Sequence, residues 1–398
     1  CLMNDISLKD ALKVVGTRPV RPDGVDKVMG RAQFGGDAVM PGMIFGSTVR
    51  SPHAHARIIK IDTSAAEAMK GVRAVVTAAD LPNITSEEAF VGEGPMNFRD
   101  LSCNLMARDK VLYDGHVVAA VAATSTSIAR AAAEAIKVEY EVLPHVINEM
   151  EAMQPGAPVL HDDIFTSGVD PKPTTPSNVV KRMEFAKGDL EAGFAAADKI
   201  VERTYTTAPV HQAYIEPHAC VAAFNPDGQC QVICSSQGHF MVRAYCAKLL
   251  GIDISEIRVT PAEIGGGFGG KTLVYLEPLA LALSRKAGRP VRMVMTREEV
   301  FRGSGPTSGG TINVKVGAKM DGTITAAHAE VILQAGAYPG SPIGPALMTC
   351  WAMYDIENAS AVGFDVVSNR PKVAAYRAPG APISTYATES AVDELSRA

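Results

Sequence analysis

The residues best suited to chemistry lie in one glycine-rich stretch, Glu263 to Thr272, EIGGGFGGKT. It separates an apolar, strand-like run at Ile257 to Ile264 from a long apolar segment, Leu273 to Ala287, whose pattern predicts a helix. Glycine lets a backbone come close to a ligand, and N–H groups left unpaired near a helix N-terminus attract anions. The stretch therefore reads as a cradle for an anionic or oxygen-rich group. Its letters also satisfy the phosphate-loop pattern, with Gly265, Gly270, Lys271 and Thr272 in the required places. A nucleotide hydrolase further needs an acidic residue at the end of a neighbouring strand to hold magnesium, and VRMVMTREE (291–299) puts threonine and arginine there. A phosphate-loop nucleotide-binding protein is thus the alternative, not the leading expectation.

Other residues invite a functional role and also admit a structural one. His53 and His55, in SPHAHARI, are spaced to put both imidazoles on one strand face, as a metal pair requires, but no third ligand of matching character lies nearby in the sequence. Cys230 and Cys234 make only a CxxxC spacing and read as small core residues. Glu216 and His218, in EPH, are the types of an acid and a base, yet a proline between them in a strand-like run favours a structural role. Lys271 reads either as a ligand contact or as a solvated lysine.

These residues must be positioned by a chain of 398 residues, long enough for two or three domains, with the 47% hydrophobic content of an ordinary globular protein. The net charge of -5, with both signs interspersed, leaves no basic stripe for nucleic acid or an anionic membrane. No apolar run approaches the roughly 18 residues of a membrane span. The N-terminal stretch CLMNDISLKDALK lacks the basic-then-apolar pattern of an export signal. Seven scattered cysteines without iron–sulfur spacing fit a reducing, cytoplasmic compartment and place any cluster elsewhere.

Turn chemistry between short apolar runs over residues 18–60 predicts a small mixed sheet. A helix over Ser64 to Met69, strands at Arg73 to Thr77 and Val117 to Ala123, a helix over Ser125 to Ile136 and a strand at Lys137 to Leu143 complete an α+β domain spanning 18–150. A proline-rich linker or strap covers 151–180, and a second domain fills 181–398. There the pattern predicts a strand at Gln229 to Ser235, a helix over Gln237 to Leu250, a hairpin turned at Asp321-Gly322, and a helix over Ser384 to Arg397. That last helix reaches Ala398 without a glycine cap, so a longer or split polypeptide is expected.

Six segments in order, RPDGVDKVMGRAQFGGD (21–37), SPHAHARI (51–58), YIEPHACVA (214–222), SSQGHFMVRAYCAKLLG (235–251), GGGFGGK (265–271) and AYRAPGAP (375–382), resemble the molybdenum-binding subunit of the xanthine oxidase and aldehyde oxidoreductase family, the molybdenum hydroxylases. The resemblance implies an α+β fold: an α/β-hammerhead-like domain over 18–150, then the first half of a molybdopterin-binding domain over 181–398. It implies that Gln237 hydrogen-bonds an oxygen ligand of molybdenum. It also implies that the backbone of Gly266, Gly267, Phe268 and Gly269 approaches the metal's oxygens and the pterin, with Arg377 and Ala378 approaching from another side. The metal is then held through the pterin, not by a side chain of this chain. The cofactor implied is molybdopterin, in bacterial members usually as the cytosine dinucleotide, with 2Fe-2S clusters and FAD on partner chains or domains of an oligomeric complex.

The reaction implied is oxidative hydroxylation of a carbon with water as the oxygen source. Its general-base glutamate belongs to a C-terminal half that this chain lacks, so no catalytic residue is assigned here and the chain alone is expected to be inactive. Purine-oxidising relatives tend to carry an acid, an arginine and an aromatic ring where this sequence has Thr272, Pro345 and Pro379. A pocket without them leaves a purine's polar edge unpaired, which favours an aldehyde or an aromatic heterocycle. YRAPGAP also lacks the cysteine of the carbon monoxide dehydrogenases. A catalytically silent scaffold of the same fold is the non-enzyme alternative; the joint presence of Gln237, the full glycine loop and Arg377 argues against it.

Overall fold

The run VVAAVAA at Val117–Ala123 is buried at every position, as befits a strand covered on both faces. It pairs antiparallel with Ile44–Arg50 on one side and Val72–Thr77 on the other. Ile44–Arg50 in turn runs parallel to Val291–Val294, through Ile44 opposite Val291 and Phe45 opposite Arg292. Beyond that pair the sheet continues through Ala219–Phe224 and Cys230–Cys234 to Ile257–Pro261, giving seven strands. This computed structural model describes residues 13–85, 88–91 and 94–398. The export-signal expectation for the N-terminal stretch falls almost wholly on residues 1–12, outside the described ones.

One central helix, Glu277–Ala287, packs on the seven-stranded sheet and is buried from Glu277 through Ser284. A helix that is apolar on all sides belongs in an interior, and Leu276, Leu279, Leu281 and Leu283 are among the largest fully buried side chains. It starts later than the sequence pattern suggests: Leu273 to Leu276 are apolar but not helical, and Pro278 occupies the first turn. The buried Glu277 carboxylate accepts the Tyr275 and Leu276 N–H groups, each at 3.2 Å.

A second sheet has five strands in the order Lys199–Thr207, Gly310–Ala318, Ile324–Gly336, Asn358–Val367, Val179–Lys187. Its central hairpin turns at Asp321-Gly322, where Gly322 takes φ +90° and Asp321 Oδ1 accepts the Thr323 N–H at 2.9 Å. The C-terminal helix, Ala381–Arg397, lies on this sheet and begins three residues before the expected Ser384, again with proline in its first turn. Ala56–Asp62, flanked by Lys110–Val111 and Lys137–Val142, makes a third, small sheet. The architecture is α+β, as expected from the pattern and the resemblance.

The proline-rich segment is a strap held down by asparagine side chains. Asn178 accepts the Leu160 N–H at 3.1 Å and donates to the carbonyls of Ala152 (3.1 Å) and Pro158 (2.9 Å). Asn369 does the same between distant segments, accepting the Val146 N–H at 3.0 Å and donating to the Leu112 carbonyl at 2.9 Å. Both asparagines are buried. Asn369→Ala leaves a buried donor and a buried acceptor unpaired, so it is expected to cost about 2–4 kcal/mol. Denaturant unfolding of the variant checks this; a loss below about 1 kcal/mol shows that water replaces the amide.

His55 is buried with Nδ1 2.7 Å from the Pro144 carbonyl, and His53 meets Tyr140 edge-on at 5.0 Å, so both histidines make local structural contacts. Cys230 and Cys234 face the core of the seven-stranded sheet, and the six described cysteines are unbridged. Among the described residues, no helix is long and apolar enough to cross a membrane, and no three His, Cys, Asp or Glu side chains gather as a metal site would require.

Candidate functional site

Four non-glycine residues among those described have positive φ: Ala213 (53°), Phe268 (54°), Arg377 (20°) and Ala378 (60°). Such backbone is strained for an L-residue and gathers where the surrounding structure has reason to hold it. Here the four come from three loops that touch. The Arg377 N–H donates to the Phe268 carbonyl at 2.8 Å, and Gln212 Nε2 donates to the Ala375 carbonyl at 2.8 Å. Gly270 packs on Gln212 and Tyr214 so closely that a Cβ would stand 2.8 Å from Gln212 Cδ and 2.9 Å from Tyr214 Cε1.

In the glycine loop the same left-handed backbone is taken by residues that adopt it freely. Gly266 takes φ +97° and Gly269 φ +103°, and a Cβ on Gly269 would lie 2.6 Å from the Ala375 carbonyl oxygen. Gly267 is needed for a different reason: a Cβ there would lie 2.5 Å from Gln237 Oε1. Gln237 sits just ahead of the helix His239–Leu250, with its side chain laid along this loop. Its Oε1 accepts the N–H groups of Gly269 (2.8 Å) and Lys271 (3.2 Å), and its own N–H donates to the Lys271 carbonyl at 2.9 Å. Two donors on one oxygen fix the amide orientation, since the flipped amide would set its NH2 against both. Gln237 Nε2 is left without a protein partner among the described residues, as are the N–H groups of Gly266, Gly267, Phe268 and Ala378.

Behind the loop lies a buried ion pair. Lys271 is 1% exposed, and its Nζ is 2.7 Å from Glu216 Oε2 and 4.9 Å from the centre of the Tyr214 ring. The same Glu216 oxygen accepts the Gly265 N–H at 2.7 Å, and the other accepts the Gly35 N–H at 3.3 Å. Burial pushes the Lys271 ammonium below its usual value while the Glu216 carboxylate holds it up. The Tyr214 hydroxyl is 2.7 Å from His218 Nε2 and 3.1 Å from Ser304 Oγ. Burial first, and the Lys271 charge second, take the His218 imidazole down to about 3.

The structure thus brings together Gln237, Gly266, Gly267, Phe268, Gly269, Arg377 and Ala378, all seven residues singled out from the sequence. It corrects two details. Lys271 is neither solvated nor turned to the open face. The loop is not at a helix N-terminus, because the helix begins at Glu277. Both findings depart from a phosphate loop, whose lysine reaches the ligand and whose glycines open a helix. Glu216 and His218 form the loop's support, the structural role that their place in a strand-like run beside a proline favours.

Gln212, which packs against Gly270, carries no motif or periodicity that marks it in advance; Tyr214 opens the third motif, but nothing in the sequence marks its contact with the loop. Gln212 Oε1 is buried without a partner. The first motif also arrives at this place. Phe34 bridges Glu263, Lys27 Nζ is 2.6 Å from Glu263 Oε2, and the Glu263 N–H donates to the Gln33 carbonyl at 2.9 Å. The loops therefore leave several N–H groups without a protein acceptor beside the half-exposed Phe268 ring and the exposed Arg377, with the Glu216 carboxylate paired to Lys271 behind them.

Comparison with known proteins bears on what such a face meets. Residues 172–398 match the family model described as molybdopterin cofactor-binding domain, and residues 29–144 the one described as aldehyde oxidase and xanthine dehydrogenase, a/b hammerhead domain. A probable xanthine dehydrogenase subunit of Bacillus subtilis is 33% identical over 95% of this chain and 48% of its own length. The nicotinate dehydrogenase large molybdopterin subunit of Eubacterium barkeri is 31% identical over 97% of this chain and 86% of its own length. The crystal structure of quinoline 2-oxidoreductase from Pseudomonas putida 86 superposes with a TM-score of 0.85 at 28% identity, over 96% of this chain and 48% of that one. The chain accordingly spans about half the length of two of these relatives and most of the third.

Proposed function

The chain belongs to the molybdenum hydroxylases, as part of their molybdopterin-binding subunit, and from that premise we propose that its three contacting loops hold the molybdenum end of a molybdopterin cofactor. The observation that carries this is the fixed amide of Gln237, whose oxygen is saturated by Gly269 and Lys271 and whose Nε2 is presented outward. A donor so oriented fits an anionic oxygen. The unpaired N–H groups of Gly266, Gly267, Phe268 and Ala378 fit the same chemistry, and the glycines give them close access.

The bound cofactor supplies a metal that accepts two electrons from the substrate carbon, with water as the source of oxygen. This chain's part is to bind and orient. Gln237 Nε2 and the loop N–H groups stabilise negative charge at the site, Phe268 covers one side against water, and the link from Arg377 to Phe268 keeps the two loops in register. The general base is assigned to a second half of the site. The cytosine dinucleotide form of the cofactor, and 2Fe-2S and FAD partners in a multi-subunit complex, complete the proposal; relatives named as subunits support it. Free cysteines support a reducing, cytoplasmic setting.

For substrate we favour an aromatic heterocycle or an aldehyde. Thr272 turns its hydroxyl to the Gly269 carbonyl at 2.9 Å, so it offers no acidic contact to a purine edge. Pro345 lies in the helix Ile343–Thr349, whose N-cap carbonyl and Ala346 stand close against Gly380, the residue after Pro379, so neither position carries an arginine or an aromatic ring. Relatives named for nicotinate and quinoline support the heterocycle.

The test is elemental and nucleotide analysis of the complex purified with its partners, followed by turnover of nicotinate, quinoline, benzaldehyde and xanthine. Molybdenum stoichiometric with the chain, cytidine monophosphate on acid hydrolysis, and turnover of a heterocycle or the aldehyde in preference to xanthine are expected. An intact complex without molybdenum or pterin overturns the proposal in favour of a silent scaffold.

A further inference from the structure

We propose that Lys271 and Glu216 are positioning residues, a buried pair whose task is to set the Gln237 amide and, through it, the grip on the cofactor. The inference rests on the cofactor assignment above. Lys271 Nζ is wholly covered and paired with Glu216, so it cannot itself touch a ligand on the open face. Its main chain, by contrast, holds Gln237 at both ends. The Lys271 N–H donates to Gln237 Oε1, and its carbonyl accepts the Gln237 N–H at 2.9 Å and the Ser236 hydroxyl at 3.1 Å. Wherever the Lys271 side chain is clamped, Gln237 is carried with it.

Glu216 makes that clamp a fixed point. One carboxylate joins Lys271 Nζ, the Gly265 N–H that opens the glycine loop, and the Gly35 N–H of the first motif. Beneath it, Tyr214 is immobilised by His218 and Ser304, and Arg297 donates to the Tyr214 carbonyl at 2.9 Å. A buried ion pair is a poor way to gain stability, since well-packed apolar residues of the same volume generally do as well or better. What the pair offers here is direction: polar contacts from separate segments converge on one carboxylate and one lysine, and their output is the side-chain amide that faces the open site.

The test uses the holoenzyme with its partners. Lys271→Met is expected to assemble, to lose pterin about tenfold faster or more, and to shift the Mo(V) paramagnetic resonance spectrum in the same direction as Gln237→Ala. In turnover, kcat falls while KM moves little. In a Gln237→Ala background, Lys271→Met then adds little, because its route is already cut. Additive losses, or a Lys271→Met enzyme with unchanged pterin retention and spectrum, overturn the inference. Should Lys271→Met fail to assemble, Glu216→Gln, which keeps an acceptor for the Gly265 N–H and nearly the same volume, carries the same comparisons. A wild-type complex without molybdenum refutes the cofactor assignment itself; a loaded wild type with indifferent variants refutes only the role of the pair.

Discussion

A Gly269→Ala enzyme is expected to assemble with its partners but to contain at least about tenfold less molybdenum than wild type. Two costs coincide at this residue. The backbone stands at φ +103°, where an L-side chain is strained by about 1–2 kcal/mol. The added methyl would also stand 2.6 Å from the Ala375 carbonyl oxygen and 2.7 Å from its carbon, which are main-chain atoms with little freedom to yield. Relief comes from driving the glycine loop away from residues 375–378, which breaks the hydrogen bond from Arg377 to Phe268 and moves the Gly269 N–H off Gln237. Gly288→Ala is the control: φ is +63° but nothing lies within 4 Å, so only the strain is felt and molybdenum content should stay normal. Full loading of Gly269→Ala would sink the cradle assignment.

Acidification from neutral pH is expected to destabilise the protein through two buried histidines. His116 and His218 are buried, and burial takes their imidazoles to about 4 and about 3. Both are neutral in the fold, so on acidification the unfolded chain takes up protons first, near the ordinary histidine value of about 6.5. Their contribution to stability is complete above that value and declines as pH falls towards the folded values. By about pH 5 each costs about 2 kcal/mol. Asp100, raised to about 6 by burial, protonates in the folded state and offsets part of this loss. Melting temperature between about pH 7.5 and pH 5 reads the balance. His116→Gln should be less stable at the upper end yet lose less on acidification, and a flat wild-type profile would refute the account.

Much of this is legible in the sequence, and what is not has physical reasons. The strand Val117–Ala123 announces itself through an unbroken run of small and β-branched residues, and the Asp321-Gly322 turn through the need for positive φ. The start of the central helix is obscured because Leu273 to Leu276 are as apolar as the helix that follows, so hydrophobicity alone does not separate them; Pro278 is the available signal. Gln237, Phe268 and Arg377 emerge through ordered motifs, since a glutamine or arginine in a loop has no periodicity to betray it. Gln212 becomes visible only as a neighbour of Gly270, and Tyr214, although it opens a motif, shows its supporting role only there. Lys271 stays ambiguous because sequence shows which side chain is present but not which way it turns.

The parallel register of Ile44 with Val291 has a consequence for recombination between relatives. The stretch 29–144 coincides with a family of its own and looks like a cassette that can be exchanged. Its strand Ile44–Arg50, however, is the inner neighbour of Val291–Val294, and Gly46 lies against Met293 so tightly that a Cβ there would stand 2.6 Å from its Cγ. A chimera cut at the linker would inherit a seam through the middle of a sheet. Transferring the first stretch together with Val291–Met295 keeps that seam intact, so the natural unit of exchange is discontinuous in sequence although continuous in space.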